Sequence, residues 1–162
     1  MSCGLYGDSK IQWLEGDQVL KPKVTTLLEK KYFGEGVAPV TDSTFLMLTW
    51  KNRKILEYDR DTLNLKATHS LLRGIKEGWG ITSVPVKGQK FHKLYISDGT
   101  DVIKVVDWQA RKITAKLRVK TRDGKTIDRI NELEYRNGSI YANVWGENRV
   151  LKIDAKTGKV SD

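Results

Sequence analysis

The chain has 162 residues, of which 39% are hydrophobic, and both values are typical of one globular domain and not of a disordered chain. No run approaches the ~20 consecutive apolar residues that a membrane helix needs, and the N-terminus lacks the pattern of a signal peptide. Lys and Arg outnumber Asp and Glu by 29 to 20, a net charge of +9, and the single cysteine, Cys3, excludes an intramolecular disulfide. We therefore expect one soluble domain with no membrane partner, in a compartment that the sequence does not specify.

Two strand-like segments, residues 8–14 and 17–25, open the chain. Three longer units then repeat, because a strand-like run ends at Trp50, at Asp98 and at Trp145, which are 48 and then 47 positions apart. Each unit places one further short strand before this run and two after it, with turn residues between them. The predicted strands of the units are residues 35–40, 45–50, 53–59 and 65–71; 79–84, 93–98, 101–107 and 112–120; and 131–136, 140–145, 148–154 and a fourth beginning at Lys159.

The first unit opens on the segment Phe33-Gly-Glu-Gly36, which places a carboxylate between two glycines. A dinucleotide-binding loop would need a third glycine where Pro39 stands, and Glu35 would repel the phosphate that such a loop holds. These mismatches argue against phosphate binding. Two interpretations stay open from these residues alone: an ordinary hairpin turn, or a glutamate that a cramped backbone holds where chemistry happens.

An aspartate closes the third strand of every unit, at Asp59, Asp107 and Asp154, with the same spacings of 48 and 47 positions. Turn residues follow each of them, and an aspartate in such a position accepts hydrogen bonds from backbone N–H groups about two residues further on. We therefore predict turn-forming roles, not catalytic ones, for these three carboxylates.

Residues 112–125 are the most basic stretch of the chain and contain no aromatic residue. Their basic and apolar residues alternate like those of an exposed strand, whereas nucleic-acid sites usually combine a basic face with stacking aromatics. We expect a solvated strand there and no nucleic-acid partner. Binding of RNA or another polyanion, driven by the net charge, remains an alternative.

Four short antiparallel strands in every unit of about 48 residues are typical of the blades of a β-propeller. The predicted fold is all-β, with roughly three and a half blades: half a blade at the start and three units after it, the last of them cut short after its third strand. Propeller rings usually have about four to eight blades, so we predict that residues 1–162 form a single propeller domain that is incomplete at both ends. Open sheet edges would favour self-association, or a partner that completes the ring.

The innermost strands of a propeller line its central channel, so the residues that open each unit are expected to face one cavity, together with those that end the second strands. The residues at these positions are Phe33–Gly36, Glu77–Gly80, Asn131–Glu134, Trp50, Asp98 and Trp145. Tryptophans, an asparagine and several carboxylates are thus predicted to meet at one end of the domain. Composition alone favours packing between blades as the role of the tryptophans.

The motifs resemble, in order and spacing, those of the plant and bacterial type of glutaminyl-peptide cyclotransferase (glutaminyl cyclase), a family of five-bladed propeller enzymes. The matching segments span nearly the whole chain and are Gly4–Gly7, Phe33–Gly36, Leu48–Trp50, Glu77–Gly80, Ser97–Gly99, Asn131–Glu134 and Ala142–Trp145. The resemblance implies an acyltransferase that converts the N-terminal glutamine of peptides or proteins to pyroglutamate and releases ammonia, without a catalytic zinc or another cofactor. Members of this family are often secreted.

The resemblance also implies roles for six residues. Glu35 would carry a proton from the attacking amine to the departing nitrogen, and Asn131 would orient the carboxamide. Four aromatic side chains would wall the substrate pocket: Phe33, Trp50, Trp79 and Trp145. The Phe and Gln that family members place just before Gly4, and a Lys that lies beyond Asp162, have no counterpart here.

The two histidines do not suggest a metal site, because His69 and His92 are 23 positions apart with no cysteine or carboxylate at ligand spacing. We predict surface or strand positions for both histidines and no bound metal. A catalytically inactive propeller fragment that binds peptides or another protein is the alternative function.

Overall fold

The chain is all-β, as predicted. A computed structural model describes residues 2–16 and 21–161, and every regular element in these residues is a β-strand. The strands, numbered in chain order, are β1 (Ser2–Cys3), β2 (Lys10–Glu15), β3 (Lys21–Leu27), β4 (Gly34–Thr41), β5 (Thr44–Thr49), β6 (Lys54–Asp59), β7 (Leu65–Ser70), β8 (Ile81–Val84), β9 (Lys93–Ile96), β10 (Val102–Asp107), β11 (Lys112–Arg118), β12 (Ile130–Arg136), β13 (Ser139–Val144), β14 (Val150–Asp154) and β15 (Val160–Ser161). In this part of the chain there is no helix that could cross a membrane.

The strands form four antiparallel sheets in which neighbours along the chain are also neighbours in the sheet. The first sheet has three strands, in the order β1-β2-β3, and each of the other three has four: β4-β5-β6-β7, β8-β9-β10-β11 and β12-β13-β14-β15. The first strands of these three sheets adjoin one another, since β8 contacts both β4 and β12. Successive four-stranded sheets whose first strands meet on the inside are the blades of a propeller-like fold.

Two strands of the second repeat unit are shorter than the sequence predicted. Residues 79–84 and 93–98 form strands only over β8 and β9, which stop short of the channel end of the sheet. The Ser97 N–H still donates to the Gly80 carbonyl there, at 3.0 Å, but the Gly80 N–H donates to Ser97 Oγ at 2.8 Å. The residues next to the channel are therefore held by backbone and side-chain bonds together, without a regular ladder.

The two ends of the chain also differ from the prediction. The first sheet has an additional strand, β1, which is too short to show a period and is defined only by its pairing with Lys10 and Ile11 of β2. Of the predicted strand 17–25, residues 17–20 lie outside the described residues and the rest falls in β3. The fourth strand predicted from Lys159 is present as β15, which pairs with β14, so the last sheet extends beyond its third strand. That residues 1–162 form one domain, incomplete at both ends, stays a prediction.

Apolar side chains fill the spaces between successive sheets in three buried clusters. Representative members are Ile11, Leu56 and Tyr58 between the first and second sheets, Leu46, Ile96 and Val106 between the second and third, and Ile103, Ile140 and Ile153 between the third and fourth. Burial of apolar surface is the main force that holds such sheets together. The packed sheets fix the positions of the loops at their ends.

The aspartates that close the third strands form turns, as predicted. Asp154 Oδ1 accepts hydrogen bonds from the N–H groups of Lys156 and Thr157 at 3.0 and 2.7 Å, and Asp59 accepts the equivalent pair. Asp107 accepts one such bond, at 2.9 Å. We call the end of the sheets that carries these aspartates the turn end, and the opposite end the cavity end.

Candidate active site

A cavity of about 400 Å³ opens at the cavity end, where the first strands meet. Its lining residues come from three different repeat units and are Phe33, Glu35, Trp50, Trp79, Asn131 and Trp145. These are the six residues that the sequence analysis singled out. The fold therefore brings all six side chains around one space, and their individual roles stay predictions at this point.

The lining residues lie where regular strand geometry begins or ends. Glu35 and Asn131 belong to the first strands β4 and β12, while the aromatic residues lie just before a first strand or directly after a second one. Backbone bonds hold these strand ends together, as the Trp50 N–H donates to the Phe33 carbonyl at 3.1 Å. The aromatic rings thus surround the mouth of the channel, with the carboxylate on its inner strand.

The glycine after Glu35 is required by a close approach between neighbouring first strands. A Cβ atom at Gly36 would lie 2.7 Å from the Ile81 nitrogen and 2.9 Å from Glu132 Oε1, both too close for real atoms. The Gly36 N–H donates to the Trp79 carbonyl at 2.9 Å across this contact. Of the two interpretations left open by the sequence, the cramped backbone is the one that the structure shows, because Glu35 lies inside β4 and not in a hairpin turn.

Glu35 has an environment that favours its protonated form. Its side chain is only partly accessible to solvent. Burial, followed by the negative charges of Glu132 and Glu77, raises the pKa of Glu35 to about 7. A carboxyl with such a pKa exists in both protonation states near neutral pH, so it can accept and donate a proton.

A second cavity, of about 460 Å³, also includes Glu35 in its lining. Glu35 and Phe33 line it together with Glu132 and Glu134 of β12. Burial, and then the charge of Glu134, raise the pKa of Glu132 to about 7, against the effect of a bond from the Leu133 N–H. Glu132 as a whole is exposed, so it is the local loss of water around its carboxyl that raises the pKa, and solvent screening limits the effect. Acidic side chains therefore crowd one side of Glu35.

Glu77 holds two of the tryptophans, a role that the sequence analysis missed. Its Oε2 atom accepts hydrogen bonds from the indole N–H of Trp50 at 2.7 Å and of Trp79 at 3.0 Å. A tryptophan N–H in a partly buried site usually needs an acceptor, and here one carboxylate serves both rings. The only available signal in the sequence was the position of Glu77 in the motif that opens the second unit.

Trp79 is also held from the side, by the turn that follows β9. Gly99 has a φ of +76°, and a Cβ atom there would lie 2.7 Å from the Trp79 ring, so glycine is required both for the backbone conformation and for the ring. On its other side, the Trp79 ring meets Trp145 edge-on at a centroid distance of 6.4 Å. The indole of Trp79 is therefore fixed in position between two neighbours.

Asp98 does not line the cavity, although it occupies the repeat position equivalent to Trp50 and Trp145. It is buried in an ion pair with Lys104 and accepts the Lys76 N–H at 3.0 Å. Burial acts to raise the pKa of Asp98, but the bonds from Lys104, Lys76 and Thr100 outweigh it, so the pKa is lowered. Asp98 thereby anchors the backbone directly before Glu77.

The histidines and a larger cavity lie away from this site. His69 in β7 bonds Glu57 at 2.8 Å, and His92 lies near Ser83 at the turn end. A cavity of about 570 Å³ at the turn end includes His92 and Asp107 in its lining. Within residues 2–16 and 21–161 no three His, Cys, Asp or Glu side chains are grouped so that they could hold a metal ion.

The whole chain, residues 1–162, matches the glutamine cyclotransferase family. A glutaminyl-peptide cyclotransferase from Arabidopsis thaliana is 30% identical over 159 residues, which are 98% of this chain and 46% of the plant protein. The crystal structure of Myxococcus xanthus glutaminyl cyclase is similar with a TM-score of 0.78 and 29% identity, and the match covers 98% of this chain and 63% of the bacterial one. The chain thus spans about half the length of the curated relative.

The fold itself is more widely distributed than the sequence motifs. The crystal structure of Saccharomyces cerevisiae Sqt1 matches with a TM-score of 0.55 but only 9% identity, over 96% of this chain and 55% of the yeast protein. Such a match shows the fold alone.

Proposed function

The chain belongs to the glutamine cyclotransferase family, and from this premise we propose that it cyclises the N-terminal glutamine of peptides or proteins to pyroglutamate. Enzymes of this kind are acyltransferases, because the glutaminyl acyl group moves from one nitrogen to another. The observation that carries the proposal is the placement of Glu35, whose pKa is raised to about 7, in a cavity walled by four aromatic rings.

The reaction needs little beyond proximity and proton transfer. The α-amine nitrogen of the substrate attacks the δ-carbon of its own side chain, so one N–C bond forms as the bond to the amide nitrogen breaks. The amine loses a proton and the departing nitrogen gains one, leaving as ammonia. Because both reacting groups belong to one residue, holding that residue in a folded conformation supplies much of the rate enhancement.

Glu35 is the group proposed to move the proton. In its ionised form it accepts a proton from the attacking amine, and in its protonated form it donates to the leaving nitrogen. Glu132 and Glu77 contribute indirectly, because their negative charges help keep the pKa of Glu35 near neutrality. A carboxylate with an ordinary pKa would accept protons less effectively at neutral pH.

The aromatic residues and Asn131 are proposed to hold the substrate. Phe33, Trp50, Trp79 and Trp145 would exclude water, and on binding they would hold the protonated amine through cation–π attraction, which is worth up to ~2 kcal/mol when it is desolvated. The amine gives this extra proton to water before it attacks in its neutral form. Asn131 would bond the carboxamide through its own amide group. Glu77 would act through the rings, since it fixes the indoles of both Trp50 and Trp79.

The proposal is tested by incubating the protein with a dipeptide amide that begins with glutamine and measuring ammonia release. We expect Glu35→Gln, which keeps the shape of the side chain, to lower turnover by roughly 10²- to 10⁴-fold. Glu134→Gln is the matched control, because Glu134 lines only the neighbouring cavity. Wild-type protein without ammonia release would sink the proposal, and a Glu35→Gln variant with full turnover would remove Glu35 from the mechanism.

The second candidate is a propeller that binds peptides without turning them over. Large apolar side chains remain exposed in the last sheet, where the accessible fraction is 59% for Trp145 and 68% for Val150. Exposed apolar residues of this size often mark binding surfaces. Peptide binding measured by calorimetry, with no release of ammonia, would favour this candidate over the enzyme.

A further inference from the structure

Tyr6 extends the aromatic wall of the cavity outward. Its ring lies 5.2 Å from the ring of Phe33, in an edge-to-face arrangement, and 6.5 Å from the ring of Trp50. Phe33 and Trp50 line the cavity, whereas Tyr6 does not. Tyr6 therefore stands beyond these two rings, on the rim.

The Tyr6 side chain remains largely exposed, although its ring contacts the rings of Phe33 and Trp50. The side chains of Tyr6 and its neighbour Leu5 are each 55% exposed, although both are large and apolar. Single exposed apolar side chains are common on protein surfaces, but this pair adjoins a cavity that already has a proposed ligand, and Tyr6 contacts two of the rings that line it.

The turn that carries Tyr6 is held rigidly to the strand that carries Glu35. Ser9 is 2% exposed, and its hydroxyl accepts the N–H of Leu5 and the N–H of Gly34, each at 3.0 Å. The same hydroxyl donates to the Leu5 carbonyl at 2.8 Å, and the Asp8 N–H donates to that carbonyl as well. One buried hydroxyl thus connects the turn to the residue directly before Glu35, so the backbone of the turn is tied to the strand that carries the carboxylate.

We propose that Tyr6, with Phe33 and Trp50, forms a subsite for the side chain of the residue that follows the N-terminal glutamine. This inference rests on the proposed function and deepens it by naming a substrate class: peptides with an aromatic or large aliphatic second residue. Phe33 and Trp50 line the cavity, and the Tyr6 ring is 5.2 and 6.5 Å from their rings. Because consecutive Cα atoms are ~3.8 Å apart, the residue that follows a glutamine held against these two rings can reach Tyr6.

The charge beside this subsite acts against a basic second residue. The Lys51 ammonium lies 4.2 Å from the centre of the Trp50 ring, so a cation already occupies one face of the indole. A lysine or arginine of the substrate would meet like charge there and would lose the cation–π contact.

The test compares two substrates, Gln-Phe-amide and Gln-Gly-amide, in the wild type and in Tyr6→Ala. We expect the ratio of kcat/KM for the phenylalanine substrate to that for the glycine substrate to fall roughly 2- to 10-fold in Tyr6→Ala, the usual worth of one aromatic contact. Tyr6→Phe keeps the ring and should keep the ratio. Tyr141→Ala removes a partly exposed tyrosine of β13 outside the cavity lining and should also leave the ratio unchanged.

Binding of the products separates failure of the subsite from failure of the enzyme proposal. Pyroglutamyl-Phe-amide and pyroglutamyl-Gly-amide cannot react, and their affinities can be measured by calorimetry. If no substrate is turned over but Tyr6→Ala selectively weakens the phenylalanine product, the subsite stands and the enzyme proposal fails. If turnover occurs with the same substrate ratio in the wild type and in Tyr6→Ala, the subsite is overturned and the enzyme proposal stands. Neither binding nor turnover would overturn both.

Discussion

Carboxylates occur at both ends of the sheets, and the two ends affect them in opposite ways. At the turn end, Asp59 and Asp154 accept hydrogen bonds from the threonine three residues later, and these bonds hold their pKa below the ordinary value. At the cavity end, burial and two neighbouring carboxylates raise the pKa of Glu35 to about 7. The same chemical group is thus stabilised as an anion at one end and destabilised as an anion at the other.

The comparison distinguishes acidic residues that stabilise the fold, the turn aspartates, from an acidic residue in an environment suited to chemistry, Glu35. The turn aspartates recur in every unit and satisfy backbone N–H groups, so their charge contributes to folding. The corresponding segments of the other units, Gly78 to Gly80 and Asn131 to Glu134, differ in sequence, so Glu35 has no counterpart there. The environment of the Glu35 carboxylate lowers the stability of the folded protein. Strongly perturbed acids in cavities of this kind are typical of functional sites.

Asp98 provides a third case that sharpens the comparison, because it is buried but paired. Lys104→Met would leave this carboxylate buried without its cation, and we expect a loss of about 3–5 kcal/mol in the free energy of unfolding. Urea denaturation followed by circular dichroism measures it. Replacing both partners, in Asp98→Asn with Lys104→Met, should recover part of the loss. A loss below ~1 kcal/mol in the single variant would show that the pair is not essential to the fold.

The raised pKa of Glu35 predicts a specific dependence of stability on pH. In the unfolded chain the pKa is the ordinary 4.5, and in the folded chain it is about 7, so the folded state holds this proton between those values. Stability should therefore fall as pH rises from about 4.5 to 7. Glu35→Gln should remove roughly 1–2 kcal/mol of this fall, since partial exposure screens the charge. Urea denaturation of both proteins across this range measures it, and equal slopes would contradict the raised pKa.

The neighbouring carboxylates should set the pH dependence of turnover. Because the charge of Glu132 raises the pKa of Glu35, Glu132→Gln should lower that pKa and move the acidic limb of the kcat/KM profile to lower pH. Glu57→Gln, which removes a carboxylate that bonds His69 far from the cavity, serves as the control. An acidic limb that does not move in Glu132→Gln would mean that Glu132 does not act on the group that titrates.

A substitution at the turn end should have the smallest effect on stability. The pH dependence of that effect should have the opposite sign to that of Glu35. Asp154→Ala removes the acceptor of two backbone N–H groups, so we expect a small decrease in Tm at neutral pH and no change in ammonia release. The folded pKa of Asp154 is lowered from 3.8, so its contribution is present above that pH and is lost as pH falls below it. The difference in Tm between the wild type and Asp154→Ala should therefore shrink in acid. A difference that grows in acid would contradict this assignment.

The six site residues came from the family resemblance, while the sequence by itself determined the repeat, most of the strands and the end of the sheets at which the units open. These follow from local patterns: alternation of apolar and polar residues makes strands, and a period of about 48 residues returns equivalent positions to equivalent places in successive sheets. Residues from three units could therefore be assigned to one end before any contact was known. The turn aspartates were predictable for the same reason, since their hydrogen bonds reach only two or three residues along the chain.

Some side chains contact each other although they do not occupy equivalent positions of the repeat, and only the tertiary structure decided these contacts. Glu77 bonds Trp50, which is 27 positions away, and Ser9 bonds Gly34, which is 25 positions away. Asp98 occupies a tryptophan position of the repeat, yet it is buried in an ion pair. Such contacts depend on how neighbouring sheets pack and on which rotamers the packing leaves open, and neither is encoded in a local pattern. The same packing left the turn aspartates exposed as anions, paired Asp98 with Lys104, and gave Glu35 and Glu132 raised pKa values.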